Sequence, residues 1–384
     1  MKKIDSYMEP RDIYEKTGYN ASELSDAEHG FICGLIKKYR PKNIVELGVS
    51  GGGTTALILN CLQMLDMDDT KMSSVDLSYV YHYNPANPCG FQVSDAARFL
   101  NNMNNHKFYL GKILPEVIEK IAHDKKIDFL IMDTTHYLPG ELLDFCMALP
   151  YLADDAIIVL DDTSFWFEGE NRWAFATKIV YDLCVIQEKY EAETEDGFPK
   201  VVAFKLPHLS EACKENIFDI LSMPWNYYDD NQVEIYKRYV DEHFSCEIKS
   251  LFERAVKINK QAICKKNNRK AIISDMIGRC NTANDVYIYG AGQRGKALLY
   301  FLTQHHIKVT AVIVSDDRPL DQMISTDVNL IHLSEMTKKE GSLILVAAAD
   351  DEIRDNLKET QQNYYDIPNY VFPFIKEYYE IMSF

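Results

Sequence analysis

The sequence predicts an α/β protein: a mostly parallel sheet covered by helices on both faces and closed by an antiparallel hairpin, then a helical connector, then a second, smaller α/β unit. Three observations carry this. Short β-favouring runs alternate with helical patterns through residues 43–207, as crossover connections between parallel strands require. Two glycine turns, Gly48-Val49-Ser50-Gly51-Gly52-Gly53 and Gly290-Ala291-Gly292-Gln293-Arg294-Gly295, each follow an apolar run and precede a helical one. Between the two units, residues 208–283 keep helical spacing (Ile217 and Leu221, Val240 and Phe244, Leu251 and Val256) and carry no motif.

In chain order, residues 1–42 read as a polar lead and a helix capped by Ser25 or Asp26, with Phe31, Ile32, Leu35 and Ile36 as its apolar stripe. A strand over 43–48 leads through the first glycine turn to a helix over 54–65, then a strand over 72–77. A helix over 95–102 precedes the strand 107–110, and Pro115 opens a helix to 122. The apolar run 127–133 is a strand, followed by a helix over 140–151 and a strand over 156–161. A helix over 174–189 comes before two β-like runs, 190–194 and 200–206, which flank the turn sequence Glu195-Asp196-Gly197-Phe198-Pro199. In the last unit, strands are expected over 285–289, 310–314 and 343–348, with the helix 296–302 after the glycine turn.

A length of 384 residues allows about two to three domains, each able to bury a core. The boundaries read as 1–42, 43–207, 208–283 and 284–384. A formal net charge of −17 with no basic patch argues against nucleic-acid phosphates as partners. Nine cysteines without paired spacing fit reduced thiols. The opening Met1-Lys2-Lys3-Ile4-Asp5 lacks an apolar leader, and no apolar run reaches the ~20 residues that span a bilayer. The expectation is a cytoplasmic protein; a homo-oligomer is compatible with all of this.

The first turn is not a phosphate loop, because no Lys-Ser/Thr follows its last glycine. With Glu46 inside the strand and glycines beyond it, the turn resembles the first motif of class I S-adenosylmethionine-dependent methyltransferases. That resemblance, which covers residues 43–207, implies a Rossmann-like sheet of seven strands whose last strand inserts antiparallel. It implies S-adenosylmethionine held by Glu46, Gly48, Ser50 and Gly51, and by Asp76, whose place at the end of the second strand suits both ribose hydroxyls. An acid expected near the adenine is absent, since the third strand ends in Leu110-Gly111-Lys112.

Two strand ends carry acids: Met132-Asp133-Thr134-Thr135-His136 and Leu160-Asp161-Asp162-Thr163. Parallel strands present their C-terminal ends along one edge, so Asp133, Asp161 and Asp162 converge if the strands are neighbours. Three carboxylates packed together repel unless a cation bridges them, and oxygen-only ligands favour Mg²⁺, Mn²⁺ or Ca²⁺ over zinc, with Mg²⁺ or Mn²⁺ the expected ion. Helix capping or a solvated rim is the plainer alternative. The set resembles the metal site of divalent-cation-dependent O-methyltransferases, with Asp162 where an Asn is usual. His136, three residues after Asp133, matches the branch containing macrolide sugar O-methyltransferases and cephalosporin-biosynthesis proteins. The resemblance implies that His136 is the general base for a sugar hydroxyl in polysaccharide or glycoconjugate biosynthesis. Phe165-Trp166-Phe167 and Trp173 supply either a stacking wall for a sugar or plain core.

The second glycine turn has the full G-x-G-x-x-G spacing, with Asp316 ~20 residues on. It resembles small Rossmann-like modules of bacterial polysaccharide-biosynthesis proteins, which implies a nucleotide or nucleotide sugar at Gly290, Gly292 and Gly295. Glycines that only allow tight packing are the alternative. Two other functions stay open: an NAD-dependent sugar oxidoreductase or epimerase, against which no Tyr-x-x-x-Lys-like pair is found, and a non-catalytic scaffold.

Overall fold

The computed structural model describes residues 2–167, 173–183, 188–194, 197–317, 320, 328–336, 340–347, 357, 363–369, 371–373 and 375. The chain divides into two compact units, Met1–Ile263 and Cys264–Phe384.

Unit one opens with two helices, α1 (Asp12–Thr17) and α2 (Asp26–Tyr39). Ser25 is the cap of α2: its hydroxyl accepts from the Glu28 amide, and the Glu28 carboxylate accepts from the Ser25 amide at 2.7 Å. This reciprocal box settles where the helix begins. Its apolar stripe, Phe31, Ile32, Leu35 and Ile36, is buried as its spacing demanded.

The alternating strands and helices follow as β1 (Asn43–Leu47), α3 (Gly53–Met64), β2 (Lys71–Asp76), α4 (Phe91–Ala96), β3 (His106–Leu110), α5 (Ile118–Ile121), β4 (Ile127–Met132), α6 (Gly140–Ala148), β5 (Leu152–Leu160), α7 (Ala176–Leu183), β6 (Lys189–Glu191) and β7 (Val202–Lys205). They form one seven-stranded sheet in the order β3-β2-β1-β4-β5-β7-β6. The strands β1 to β5 run parallel to one another, while β7 runs antiparallel to both β5 and β6. This is the Rossmann-like methyltransferase sheet expected from the resemblance, with its closing hairpin.

Side chains of the central strands alternate between two cores. Val45, Leu47, Leu130, Met132, Ile158 and Leu160 face one, and Ile44, Phe129, Ile131, Ile157 and Val159 face the other. A strand buried on both faces must read as a continuous apolar run, which is why 127–133 and 156–161 do.

Among the elements that depart from expectation are two helices. The helix placed over 95–102 starts earlier, as α4, because Gly90 adopts φ 74° ahead of Phe91 and turns the chain into it; only a 3-10 turn, Ala97–Phe99, follows. The helix placed over 174–189 is described as α7 over Ala176–Leu183, while Lys189 pairs with Phe204 in the hairpin. Residues 184–187 and the turn residues Glu195 and Asp196 lie outside the described residues.

The segment after β7 is helical: α8 (Glu211–Ile220), α9 (Asp230–His243) and the first part of α10 (Cys246–Thr282), a 37-residue helix within which the two units divide. Unit two carries β8 (Asp285–Tyr289), α11 (Gln293–Gln304), β9 (Ala311–Val314), β10 (Asn329–His332), β11 (Ser342–Val346) and β12 (Tyr364–Asp366), all strands parallel in the order β10-β9-β8-β11-β12. The outer strands β10 and β12 are three or four residues long and lack an apolar run, so their sequence gave no sign of them. Ala348 lies outside the described residues. Among the described residues, no helix is long and apolar enough to cross a membrane.

Replacing Ser25 by Ala removes one half of the capping box and should destabilise unit one by about 0.5–2 kcal/mol. All three tryptophans (Trp166, Trp173 and Trp225) belong to this unit, so the loss is read as a lower urea midpoint in tryptophan fluorescence.

Candidate active site

The C-terminal ends of β1, β2, β4 and β5 open onto a cavity of about 1630 Å³. In the sheet order, the chain reverses direction of winding between β1 and β4, where open α/β sheets bind ligands. Gly48, Ser50, Asp76, Asp133, His136, Asp161 and Asp162 all line this cavity, so residues from four separate strand ends meet in one place.

The glycine turn is fixed from two sides. Asp76 Oδ2 accepts from the amides of Val49 (2.8 Å) and Ser50 (3.2 Å), and its Oδ1 accepts from Ser78 (2.7 Å). Gly48 adopts φ 88°, and a Cβ there would lie 1.6 Å from the Asp133 carbonyl oxygen. Only glycine lets β1 leave the sheet past the end of β4.

Glu46 and Gly51, expected to touch the cofactor, do not line the cavity. Glu46 is buried in β1 and accepts from the Thr55 hydroxyl of α3 at 2.7 Å; burial pushes its carboxyl up to about 7. Gly51 lies against the Ala21 methyl, which a Cβ would approach to 2.7 Å, so its missing side chain makes room for the N-terminal segment.

The loop after β4 is organised by an acid that sequence reading passed over. Glu141, in the first turn of α6, is fully buried, and its Oε1 accepts from Thr134 N (3.1 Å), Thr134 Oγ1 (3.0 Å) and His136 N (2.7 Å). His136 is held at φ 60°, with Nδ1 3.5 Å from Glu141 Oε1 and its ring edge-on to Phe165. Its Nε2 faces the cavity acids, 3.3 Å from Asp162 Oδ2 and 3.7 Å from Asp133 Oδ1.

Burial pushes the Asp133 carboxyl up to about 7, with His136 opposing and Asp162 and Glu141 reinforcing the shift. Burial, then Asp133 and Asp162, hold Asp161 well above the carboxylate range. Such mutually repelling oxygen donors have the chemistry a hard dication would relieve. They are not gathered as a closed ligand set: among the described residues, the one group of three with ligand atoms mutually within 4.8 Å is Glu119, Glu242 and His243, which does not line this cavity.

Residues 45–163 match a family model described as a methyltransferase domain. The chain carries a methyltransferase domain. Solved structures similar to it include an O-methyltransferase from Bacillus cereus in complex with SAH (14% identity over 51% of this chain and 90% of that one, TM-score 0.38). Another is the O-methyltransferase TomG from Streptomyces achromogenes, involved in tomaymycin synthesis, in complex with SAM (11%, 52% and 88%, TM-score 0.35). A third is the SAH-bound methyltransferase PaMTH1 from Podospora anserina (12%, 53% and 90%, TM-score 0.36). No curated protein matches the chain. The fold assignment rests on the strand order and the family match.

Of the aromatic stretch beside this cavity, only Phe165 lines it; Phe167 and Trp173 are exposed. Lys112 lines it too and pairs with Glu116 at 2.8 Å. The opposite wall comes from the segment read as a motif-free connector: Tyr227, Tyr228, Asp229, Gln232 and Tyr236, with Asp144 of α6 beside them. Burial and Glu141 raise the Asp144 carboxyl to about 8. The run Trp225-Asn226-Tyr227-Tyr228-Asp229 is dense in aromatics, and that density was the one available signal.

In unit two, Gly290 adopts φ 116° and its carbonyl oxygen would lie 1.8 Å from a Cβ at Gly295, so these two glycines serve the strand–helix contact. Gly292, the residue ahead of α11, has open space around it. Asp316 is engaged by Ser334, whose amide and hydroxyl it accepts at 3.0 and 2.9 Å.

Two outcomes follow. Gly48→Ala places an L-residue in left-handed backbone, about 1–2 kcal/mol by itself, and drives a methyl into the Asp133 carbonyl. Urea denaturation should show a loss well beyond that figure. Glu46→Gln tests the buried acid. Because its folded pKa is raised, the penalty is absent below the unfolded value, grows as pH rises towards about 7, and is constant above. The variant's melting temperature should therefore gain on the parent between pH 4.5 and 7.5, and the two should converge at low pH.

Proposed function

We propose that this domain is an S-adenosylmethionine-dependent O-methyltransferase acting on a hydroxyl of a small molecule, with His136 as general base and Mg²⁺ or Mn²⁺ at Asp133, Asp161 and Asp162. The observation that carries the reading is the meeting of the glycine turn, Asp76, the three aspartates and His136 Nε2 around one cavity in a methyltransferase domain. Bound S-adenosylmethionine supplies an electrophilic methyl group on sulfur. A dication at the aspartates would polarise the acceptor hydroxyl.

The chain's own residues do the rest. The Gly48–Ser50 turn and Asp76 border the pocket from the β1 and β2 ends, on the cofactor side. Glu141 faces Nδ1 of His136, which favours a proton there and leaves Nε2 as the acceptor towards the cavity. Nε2 is placed to take the hydroxyl proton when the acceptor oxygen would gain the methyl from sulfur, whose S–CH₃ bond would break to leave the thioether S-adenosylhomocysteine, and Asp162 Oδ2 would steady the resulting imidazolium. The wall of Tyr227, Tyr228, Asp229, Gln232 and Tyr236 offers faces and polar tips suited to a sugar. A sugar or nucleotide-sugar acceptor in polysaccharide or glycoconjugate biosynthesis is the substrate class we propose, in a cytoplasmic setting. A nucleotide or nucleotide sugar at Gly290, Gly292 and Gly295 is a second proposal. The open space at Gly292 favours it, together with a first turn of α11 free of acids.

The test combines calorimetry with transfer of labelled methyl from S-adenosylmethionine to free and UDP-linked sugars. His136→Ala should keep cofactor affinity and lose ~10²–10⁴-fold in rate, the usual worth of general-base catalysis. The parent rate should stop with EDTA and return with Mg²⁺ or Mn²⁺. Transfer by His136→Ala within a few-fold of the parent would leave His136 a structural residue. Full activity in metal-free protein would remove the cation.

A further inference from the structure

One corner of the cavity holds polar groups that the protein itself leaves unserved. Asp76, at the end of β2, pairs in register with Leu110 of β3, and the turn after β3 brings Lys112, Ile113 and Leu114 to the cavity. The helices α6 and α9 both pack against that turn, and each adds one polar side chain to the wall, Asp144 and Tyr236. Tyr236 is 7% exposed, and its hydroxyl has no hydrogen-bond partner among the described residues. The groups that act on this hydroxyl are Asp144, Tyr227 and Glu116, none of them a cation. Asp144 has beside it Glu141 and the Thr134 hydroxyl, which already donates to Glu141 Oε1 at 3.0 Å. With its carboxyl pushed up to about 8, Asp144 is protonated at neutral pH, with an O–H to give and a C=O to receive.

On one side of Asp76 stands the glycine turn, whose Val49 and Ser50 amides it accepts. A base attached to a ribose at Asp76 therefore has its room on the other side, towards β3. There the third strand offers Lys112 in place of an acid, and Lys112 is already paired with Glu116 at 2.8 Å. Adenine asks for apolar contact on its faces and, along one edge, for an acceptor of its amino hydrogens and a donor to its ring nitrogen. Ile113 and Leu114 supply the apolar contact, and a neutral carboxyl with a phenol supplies the edge; an ionised carboxylate alone could only accept. We propose that Asp144 and Tyr236 read the adenine of S-adenosylmethionine, in place of the acid that the end of β3 lacks. The inference rests on the cofactor assignment above. Tyr236 belongs to a helix outside the matched residues 45–163, so the helical segment after β7 contributes to base recognition. Tyr227, Tyr228, Asp229 and Gln232 are left for the acceptor.

Full-length protein is titrated in the calorimeter with S-adenosylhomocysteine and with its 6-deamino analogue, which carries purine in place of adenine. Folding of each variant is checked by melting followed in tryptophan fluorescence. The parent should prefer S-adenosylhomocysteine by about two- to tenfold, the usual net worth of a hydrogen bond. Asp144→Leu should bind the two ligands alike, and Asp144→Asn, which keeps a donor and an acceptor, should restore the preference. Tyr236→Phe should bind S-adenosylhomocysteine about two- to tenfold more weakly and melt as the parent does, because the hydroxyl it loses has no partner in the free protein. The proposal is overturned if Asp144→Leu keeps the parent's preference, or if Tyr236→Phe keeps its affinity. Unchanged S-adenosylhomocysteine binding with a raised acceptor KM in both variants would also overturn it, moving the pair to the acceptor's side. A parent that binds neither ligand sinks the cofactor assignment itself, and this inference with it.

Discussion

One carboxylate oxygen, Glu141 Oε1, decides the shape of the site. Three donors from the β4–α6 loop, two of them backbone amides, converge on it and offset the cost of burying a carboxyl there, with the His136 imidazole 3.5 Å away. Those bonds fold the loop back on the first turn of α6 and hold His136 in left-handed backbone. That conformation costs a non-glycine residue about 1–2 kcal/mol. Ser50 (φ 50°) and Asp162 (φ 53°) share this conformation, and both also line the cavity. Strain of this kind persists only where the surroundings over-determine it, and it collects where side chains must be aimed.

The sheet explains why that aim is reproducible. Each central strand is clamped between two apolar cores, so its C-terminal end has little freedom, and a residue one step beyond it inherits the position. Asp133 follows β4 and donates its amide to Leu47 O at 2.9 Å; Asp161 follows β5 and donates to Met132 O at 3.1 Å. The acids are thus extensions of the hydrogen-bond ladder, although their side chains occupy solvent-accessible space.

This is also why much of the site was legible in the sequence. Apolar runs ending in acids place those acids at a sheet edge whatever the details of packing, and Asp76, Asp133, Asp161 and Asp162 all line the cavity there. What failed was the step from a local motif to a local contact. Glu46 and Gly51 sit inside the glycine motif, but tertiary neighbours, Thr55 and Ala21, take up the one's carboxylate and the other's missing side chain. Glu141 looked like an ordinary acid at a helix start, favourable there for the dipole alone. The tyrosine wall could not be found from helical spacing, which says which face of α9 is buried and nothing about the space its first turns border.

The contact between Gly48 and the Asp133 carbonyl bears on how such a protein can change over time. The glycine turn and the β4–α6 loop meet at a joint with no room for even a methyl group, so neither can be remodelled without the other giving way. Substitutions there are expected to be strongly non-additive, and single steps through that region would mostly be dead ends. The residues from Tyr227 to Tyr236 hang from a separate helical layer, which meets the β4–α6 loop where Tyr227 bonds Thr135 but is not part of the contact between Gly48 and the Asp133 carbonyl. Variation in the compounds accepted by such a chain would accumulate in that layer first, while the sheet edge stayed as it is.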